Sequence, residues 1–168
     1  MRYSNDHGLS YLANSIRSLN PAAYANIRGS ADYPSLQGTV TFYPNGAGVI
    51  VAAEFRGLPT GDGPCAEGVF GFHIHEGTSC TGDAGDSFGD AGGHYNPGDC
   101  PHPEHAGDMP PLFGSRGGYA WQAFYTDRFT VPEVMGRAIV VHAMPDDFTT
   151  QPAGNSGARI GCGLIRAV

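Results

Sequence analysis

An all-β fold, an eight-stranded antiparallel Greek-key sandwich or barrel, is predicted by three features of this 168-residue chain. Twenty-six glycines and 13 prolines with only 15% charged residues favour turns over helices. Short runs of alternating or β-branched residues recur at close intervals from Ala23 onward. Two long Gly- and Pro-rich stretches interrupt them, Glu76 to Met109 and Ala143 to Ala158. The first is about twice the usual upper length of an unstructured connection, so it should be functional or pinned.

Residues 1–20 read as an N-terminal extension. Leu9, Leu12, Ile16 and Leu19 recur at helical spacing, so Asp6 to Ser18 is either a short amphipathic helix or, with Gly8 against it, a frayed tail. Pro21 stops it, and residues 21–168 make one domain, long enough to bury a substantial core. Strands are expected at Tyr24 to Arg28, Gly38 to Tyr43, Gly48 to Phe55, Gly68 to His75, Leu112 to Phe113, Tyr119 to Tyr125, Arg137 to His142 and Arg159 to Arg166. Pro44-Asn45-Gly46-Ala47 is a hairpin signal between the second and third. Eight strands with long loops fit a Greek-key plan. Trp121, Phe124 and Tyr125 read as core or subunit contact, and a homodimer is possible.

The net charge of -7 makes nucleic acid and anionic membrane poor partners. All nine basic residues are arginine. No apolar run reaches transmembrane length, and no secretory signal is visible at the N-terminus. A cytoplasmic location is expected, or a periplasmic or extracellular one if a leader was removed.

Six of the seven histidines fall into two groups. His73 and His75 share one face of the strand from Val69, opposite Phe70, Phe72 and Ile74; the apolar face is core, so the histidines face outward. His102 and His105, three apart, lie with Asp108 in a loop that can fold donors around an ion. Three imidazoles and one carboxylate suit a tetrahedral zinc site. A strand-borne His-x-His joined by distant histidines suits tetragonal Cu(II). With His94 and His142 added, six histidines must serve two metals of about four ligands each, so one is shared. Asp83, Asp86 and Asp90 form no calcium-loop pattern and read as a solvated face.

Five ordered segments carry a resemblance: Gly71-Phe72-His73-Ile74-His75-Glu76, Gly93-His94-Tyr95-Asn96-Pro97, His105-Ala106-Gly107-Asp108, Val140-Val141-His142 and Gly154-Asn155-Ser156-Gly157-Ala158-Arg159-Ile160-Gly161-Cys162-Gly163. The chain resembles the copper,zinc superoxide dismutases, in bacterial form, over roughly Ala23 to Val168. The resemblance implies copper at His73, His75, His94 and His142, and zinc at His94, His102, His105 and Asp108, with His94 bridging as an imidazolate. It implies that Asp146 hydrogen-bonds a copper histidine and a zinc histidine together, and that Arg159 above the copper holds the superoxide anion. It pairs Cys80 with Cys162. Cys65 and Cys100 lie outside the family pattern, and are either a second bridge or two free thiols.

The loops depart from the eukaryotic pattern. Both the zinc loop and the loop after His142 are short, and Arg159 is the sole cation from Ala143 to Gly163. Anion steering is therefore expected to rest on Arg159 and on the metals' own charge. The implied reaction is dismutation of superoxide by Cu(II)/Cu(I) cycling with a structural zinc. The alternative is a metallochaperone or buffering module that binds both metals without turnover. Such a module often lacks copper ligands or the arginine, and none is lacking here.

Overall fold

The alternation of β-branched and aromatic residues with polar ones lays out the framework of this chain as paired strands. In the computed structural model, residues 20–63 and 68–168 are described. The helix expected over Asp6 to Ser18, most of the 1–20 extension, and Cys65 fall outside the described residues.

The strands are β1 Ala23–Gly29, β2 Gln37–Asn45, β3 Gly48–Arg56, β4 Val69–Phe70, β5 Phe72–His75, β6 Leu112–Phe113, β7 Ala120–Thr126, β8 Ala138–His142, β9 Arg159–Leu164 and β10 Arg166–Ala167. The β2-β3 hairpin shows the logic. Val40 pairs with Ala53 and Phe42 with Val51, all four buried, while the turn tightens to Gly46 and Ala47 with Asn45 opposite Gly48.

Eight expected runs resolve into ten strands because two are broken. At Gly71 the N–H leaves the ladder to bond the Met144 carbonyl at 2.8 Å, and at Ile165 it bonds the Arg137 carbonyl at 3.0 Å. Two short elements were not expected: a 3-10 turn at Gly89–Ala91 and the single-turn helix α1, Val131–Val134. Glu133 starts it by accepting the Thr130 N–H and hydroxyl, each at 2.7 Å.

The main antiparallel sheet runs β5-β8-β9-β1-β2-β3-β7, with β10 also paired to β1. Its non-sequential neighbours, β1 with β9, β3 with β7 and β5 with β8, are the crossovers of a Greek-key path. β3 and β5 stand five places apart in that order, yet the rings of Phe55 and Phe72 meet edge-on at 5.7 Å. The sheet is therefore curled into a half-barrel around its core, as the all-β expectation required. The ribbon β4-β6 links its two ends, since β4 leads into β5 and β6 turns into β7 through the Ser115 to Tyr119 backbone bond.

Candidate metal centre

His73 and His75 project from the sheet face opposite Phe72 and Ile74, but that face is not open. All four residues of β5 are buried, because the two long loops fold over the histidines. Isolated bridges pin the loop to the strand, His75 opposite His94 and His73 opposite Asp108. His142 ends β8, next to β5 in the sheet. Donor atoms of His73, His75, His94 and His142 lie within 4.8 Å of one another, as do those of His94, His102, His105 and Asp108. His94 belongs to both sets.

Which nitrogen each histidine offers is set by what its other nitrogen already bonds. His73 Nε2 donates to Asp146 Oδ2 at 2.7 Å, leaving Nδ1 for the first set. His75 Nδ1 donates to the Gly92 carbonyl at 2.9 Å and His142 Nδ1 to the Gly157 carbonyl at 3.3 Å, leaving both Nε2 atoms, which face each other at 3.2 Å. In the second set, His102 Nε2 donates to Asp146 Oδ1 at 2.9 Å. His94 Nδ1 meets Asp108 Oδ1 at 2.7 Å, so its Nε2 turns to the first set.

Four buried ring nitrogens make no hydrogen bond among the described residues, His73 Nδ1, His94 Nε2, His102 Nδ1 and His105 Nδ1; the last two lie beside Asp108 Oδ2, at 3.0 and 3.4 Å, as donors gathered about one point do. Leaving such an atom unsatisfied costs roughly 1–3 kcal/mol, so four of them at two foci need an occupant. An imidazole-rich set suits copper, and a set with a carboxylate and three imidazoles suits zinc. The residues fit both ions.

Burial and hydrogen bonding favour the deprotonated forms of His73, His75, His105, His142, Asp108 and Asp146. Burial pushes His73 down against the opposing pull of Asp146, pushes His75 well down, and lowers His142 to about 3. His105 is lowered by burial as well. Burial alone would raise Asp146 and Asp108; hydrogen bonds from His73, the Phe148 N–H and His102 hold Asp146 down, and that from His94 holds Asp108 down. Neutral imidazoles and ionised carboxylates are the forms a metal requires.

Arg159 opens β9 and lines a cleft whose wall also includes the buried His75, His94 and His142. Its guanidinium donates to the carbonyls of Phe88 at 2.7 Å, Gly89 at 3.1 Å and Gly92 at 2.9 Å, and its Nε lies 3.5 Å from Asp86 Oδ2. Asp86 is thus more than a solvated acid. The expected Cys80–Cys162 disulfide is present and ties this loop to β9. Cys100 is a free, half-buried thiol, and its suggested partner Cys65 lies outside the described residues.

Every residue assigned to a ligand set, with Asp146 and Arg159, falls within this one region. Sequence reasoning missed the carbonyls of Gly92 and Gly157, the anchors at Phe88 and Gly89, and the side chains of Gln151 and Arg128. Gln151 exchanges two hydrogen bonds with the His102 backbone, and Arg128 donates to the carbonyls of Pro103 and His105. A carbonyl acceptor leaves no signature in residue type; only the glycines offered a hint.

The family described as copper/zinc superoxide dismutase (SODC) has a model that matches residues 36–165. The chain is 40% identical over 148 residues to a superoxide dismutase (Cu-Zn) of Deinococcus radiodurans, covering 78% of each. It is 34% identical over 142 residues to one of Photobacterium leiognathi, covering 77% of this chain and 78% of the relative. A third relative, superoxide dismutase (Cu-Zn) 2 of Aquifex aeolicus, is 33% identical over 173 residues, covering 92% and 96%.

Proposed function

This chain belongs to the copper/zinc superoxide dismutase family, and from that premise we propose that it converts superoxide to oxygen and hydrogen peroxide with its own two ligand sets. His73, His75, His94 and His142 hold copper, and His94, His102, His105 and Asp108 hold zinc. The observation that carries this reading is the convergence of buried imidazole nitrogens that make no hydrogen bond among the described residues on two foci that share His94.

Copper in the all-histidine set supplies one-electron exchange with superoxide in both directions, while zinc keeps a single oxidation state. The chain supplies the rest. Arg159 attracts and orients the anion in the cleft, and its three carbonyl contacts keep the guanidinium from following the anion out. Peroxide must leave with two protons. His94 Nε2, on the copper side with no hydrogen-bond partner among the described residues, is positioned to hold one of them. His73, His75, His102 and His142 have their outer nitrogens bonded, which fixes their ring orientation through the cycle.

The same reading includes a homodimer, and no nucleic-acid or membrane partner. Support for the dimer comes from β7, the last strand of the sheet path, and from the neighbouring ribbon, where Phe113, Trp121 and Tyr125 are more than half exposed. Sedimentation of the parent and of Trp121→Glu tests it; a monomeric parent would refute it. The net charge of -7 disfavours polyanions, and among the described residues no helix is long and apolar enough to cross a membrane.

Metal content and superoxide dismutation should be measured on one sample, before and after loading with copper and zinc. About one of each metal per chain with fast turnover is the expected result. Both metals bound without turnover would replace the enzyme by the metallochaperone or buffering module.

A further inference from the structure

We propose that Gln151 is a positioning residue for the zinc set, holding the backbone of His102 so that its ring meets both Asp146 and the metal. The inference rests on the zinc assignment above. Gln151 Oε1 accepts the His102 N–H at 2.9 Å, and Gln151 Nε2 donates to the His102 carbonyl at 2.7 Å. These two reciprocal bonds are what a neighbouring strand would give. His102 lies in a loop, and among the described residues no strand pairs with it, so a side chain 49 residues away stands in for one.

The clamp matters because the ring of His102 has no slack. Its Nε2 is committed to Asp146 Oδ1 at 2.9 Å, and its buried Nδ1 faces the zinc set. Gln151 and Asp146 both belong to the loop after His142, so one loop grips His102 by backbone and by ring. The base of that grip is itself fixed: Asp147 Oδ1 accepts the N–H groups of Thr149 and Thr150, and the Gly154 N–H bonds the Thr150 carbonyl at 2.7 Å. The adjoining ligand His105 is held separately, by Arg128 on its carbonyl at 3.3 Å. Losing the clamp frees the His102 backbone, leaving Asp146 alone to hold its ring in place, so this donor is the first to detach and zinc release is faster. Outer partners of metal ligands change affinity by about 10- to 100-fold, and a backbone clamp belongs at the lower end.

Two variants of the full, metal-loaded chain test this. Gln151→Met keeps the length and loses both bonds; Gln151→Glu keeps the acceptor for the His102 N–H and loses the donor. Zinc and copper release into excess EDTA are followed together, with the melting temperature of the metal-free chains alongside. Zinc release about 10-fold faster in Gln151→Met and a few-fold faster in Gln151→Glu, with copper release unchanged, is expected. Equal acceleration of both metals marks a general loosening and overturns the inference, as does zinc release at the parent's rate. A parent that retains no zinc overturns the zinc assignment itself, and this inference with it.

Discussion

His75 and Arg159 converge on a single acceptor, the carbonyl oxygen of Gly92, each at 2.9 Å. The proposed copper ligand and the proposed anion-holding cation are therefore set relative to each other by one peptide. That peptide depends on glycine: Gly92 has φ 73° and ψ -154°, a region essentially closed to other residues.

Gly92→Ala should strain this junction by roughly 1–3 kcal/mol. Its new Cβ would also meet Glu76 Cγ at 3.0 Å. A lowered melting temperature and a slower dismutation rate at unchanged metal content are expected. Parent values for both, by calorimetry and stopped-flow, would show that the shared carbonyl does not couple the two residues.

Arg159→Ala removes the one guanidinium that lines the cleft among the described residues. A charge-assisted hydrogen bond is worth about 1.5–3 kcal/mol, so the rate should drop about 10- to 100-fold. Asp86→Asn should act oppositely, because its carboxylate lies 3.5 Å from Arg159 Nε and opposes an incoming anion. The pair is partly exposed and worth at most about 1 kcal/mol, which limits the gain to about fivefold at low salt. High ionic strength should erase it. An Asn variant no faster than the parent at low salt would remove Asp86 from the account.

What the sequence made legible was local. The alternation in β2 and β3, the His-x-His of β5 and the three-residue spacing of His102 and His105 each reflect a periodicity or a short loop. The breaks at Gly71 and Ile165 were not legible, since each depends on a carbonyl supplied by a distant segment. Outward-facing His73 and His75 looked exposed for the same reason: strand periodicity gives a face, and only the folded loops decide whether water reaches it. The Arg159 anchors and the Gln151 clamp lie further still from sequence logic, because they join residues 49 to 71 apart through loop conformation. The capping pair Thr130 and Glu133 was present to be read, but it starts a helix of only four residues.

Asp146 joins the two sets, accepting from His73 at 2.7 Å and from His102 at 2.9 Å. Asp146→Ala leaves two buried imidazole N–H groups without an acceptor, at roughly 1–3 kcal/mol each. Unlike loss of a single ligand, it should loosen both metals, by about 10- to 100-fold in affinity. Titration against chelators of graded strength measures this, and loosening of one metal alone would contradict the joining role.

Acid should destabilise the metal-free protein. His73, His75 and His142 are held below their ordinary value in the fold, so below about pH 6.5 the unfolded chain binds protons that the folded chain refuses. Stability is full above that pH and falls as pH drops, continuing for His142 toward about 3. The slope approaches about 1.4 kcal/mol per pH unit for each histidine fully in that window. Asp146 and Asp108, held low, add a further loss below the ordinary carboxylate range. Thermal melts from pH 8 to pH 4 should fall steadily; a flat profile between pH 6.5 and pH 4 would mean the histidines are not buried neutral.

The Cys80–Cys162 bridge closes a separation of 82 residues, and by chain entropy its loss should cost about 4 kcal/mol. Its effect on turnover should differ from its effect on metal. None of the seven metal ligands is bridged, whereas the loop it anchors carries Phe88, Gly89 and Gly92, the acceptors of Arg159. Phe88 and Ala91 also pack with Cys162 and Val140 in a small cluster of their own, so the bridge and this cluster together seat the part of the loop that cradles Arg159. Replacing both cysteines by serine should therefore lower stability and slow dismutation while leaving copper and zinc stoichiometry near the parent's. A variant that loses metal in proportion to activity would instead place the bridge's influence on the ligands, and the Arg159 cradle would no longer explain the loss.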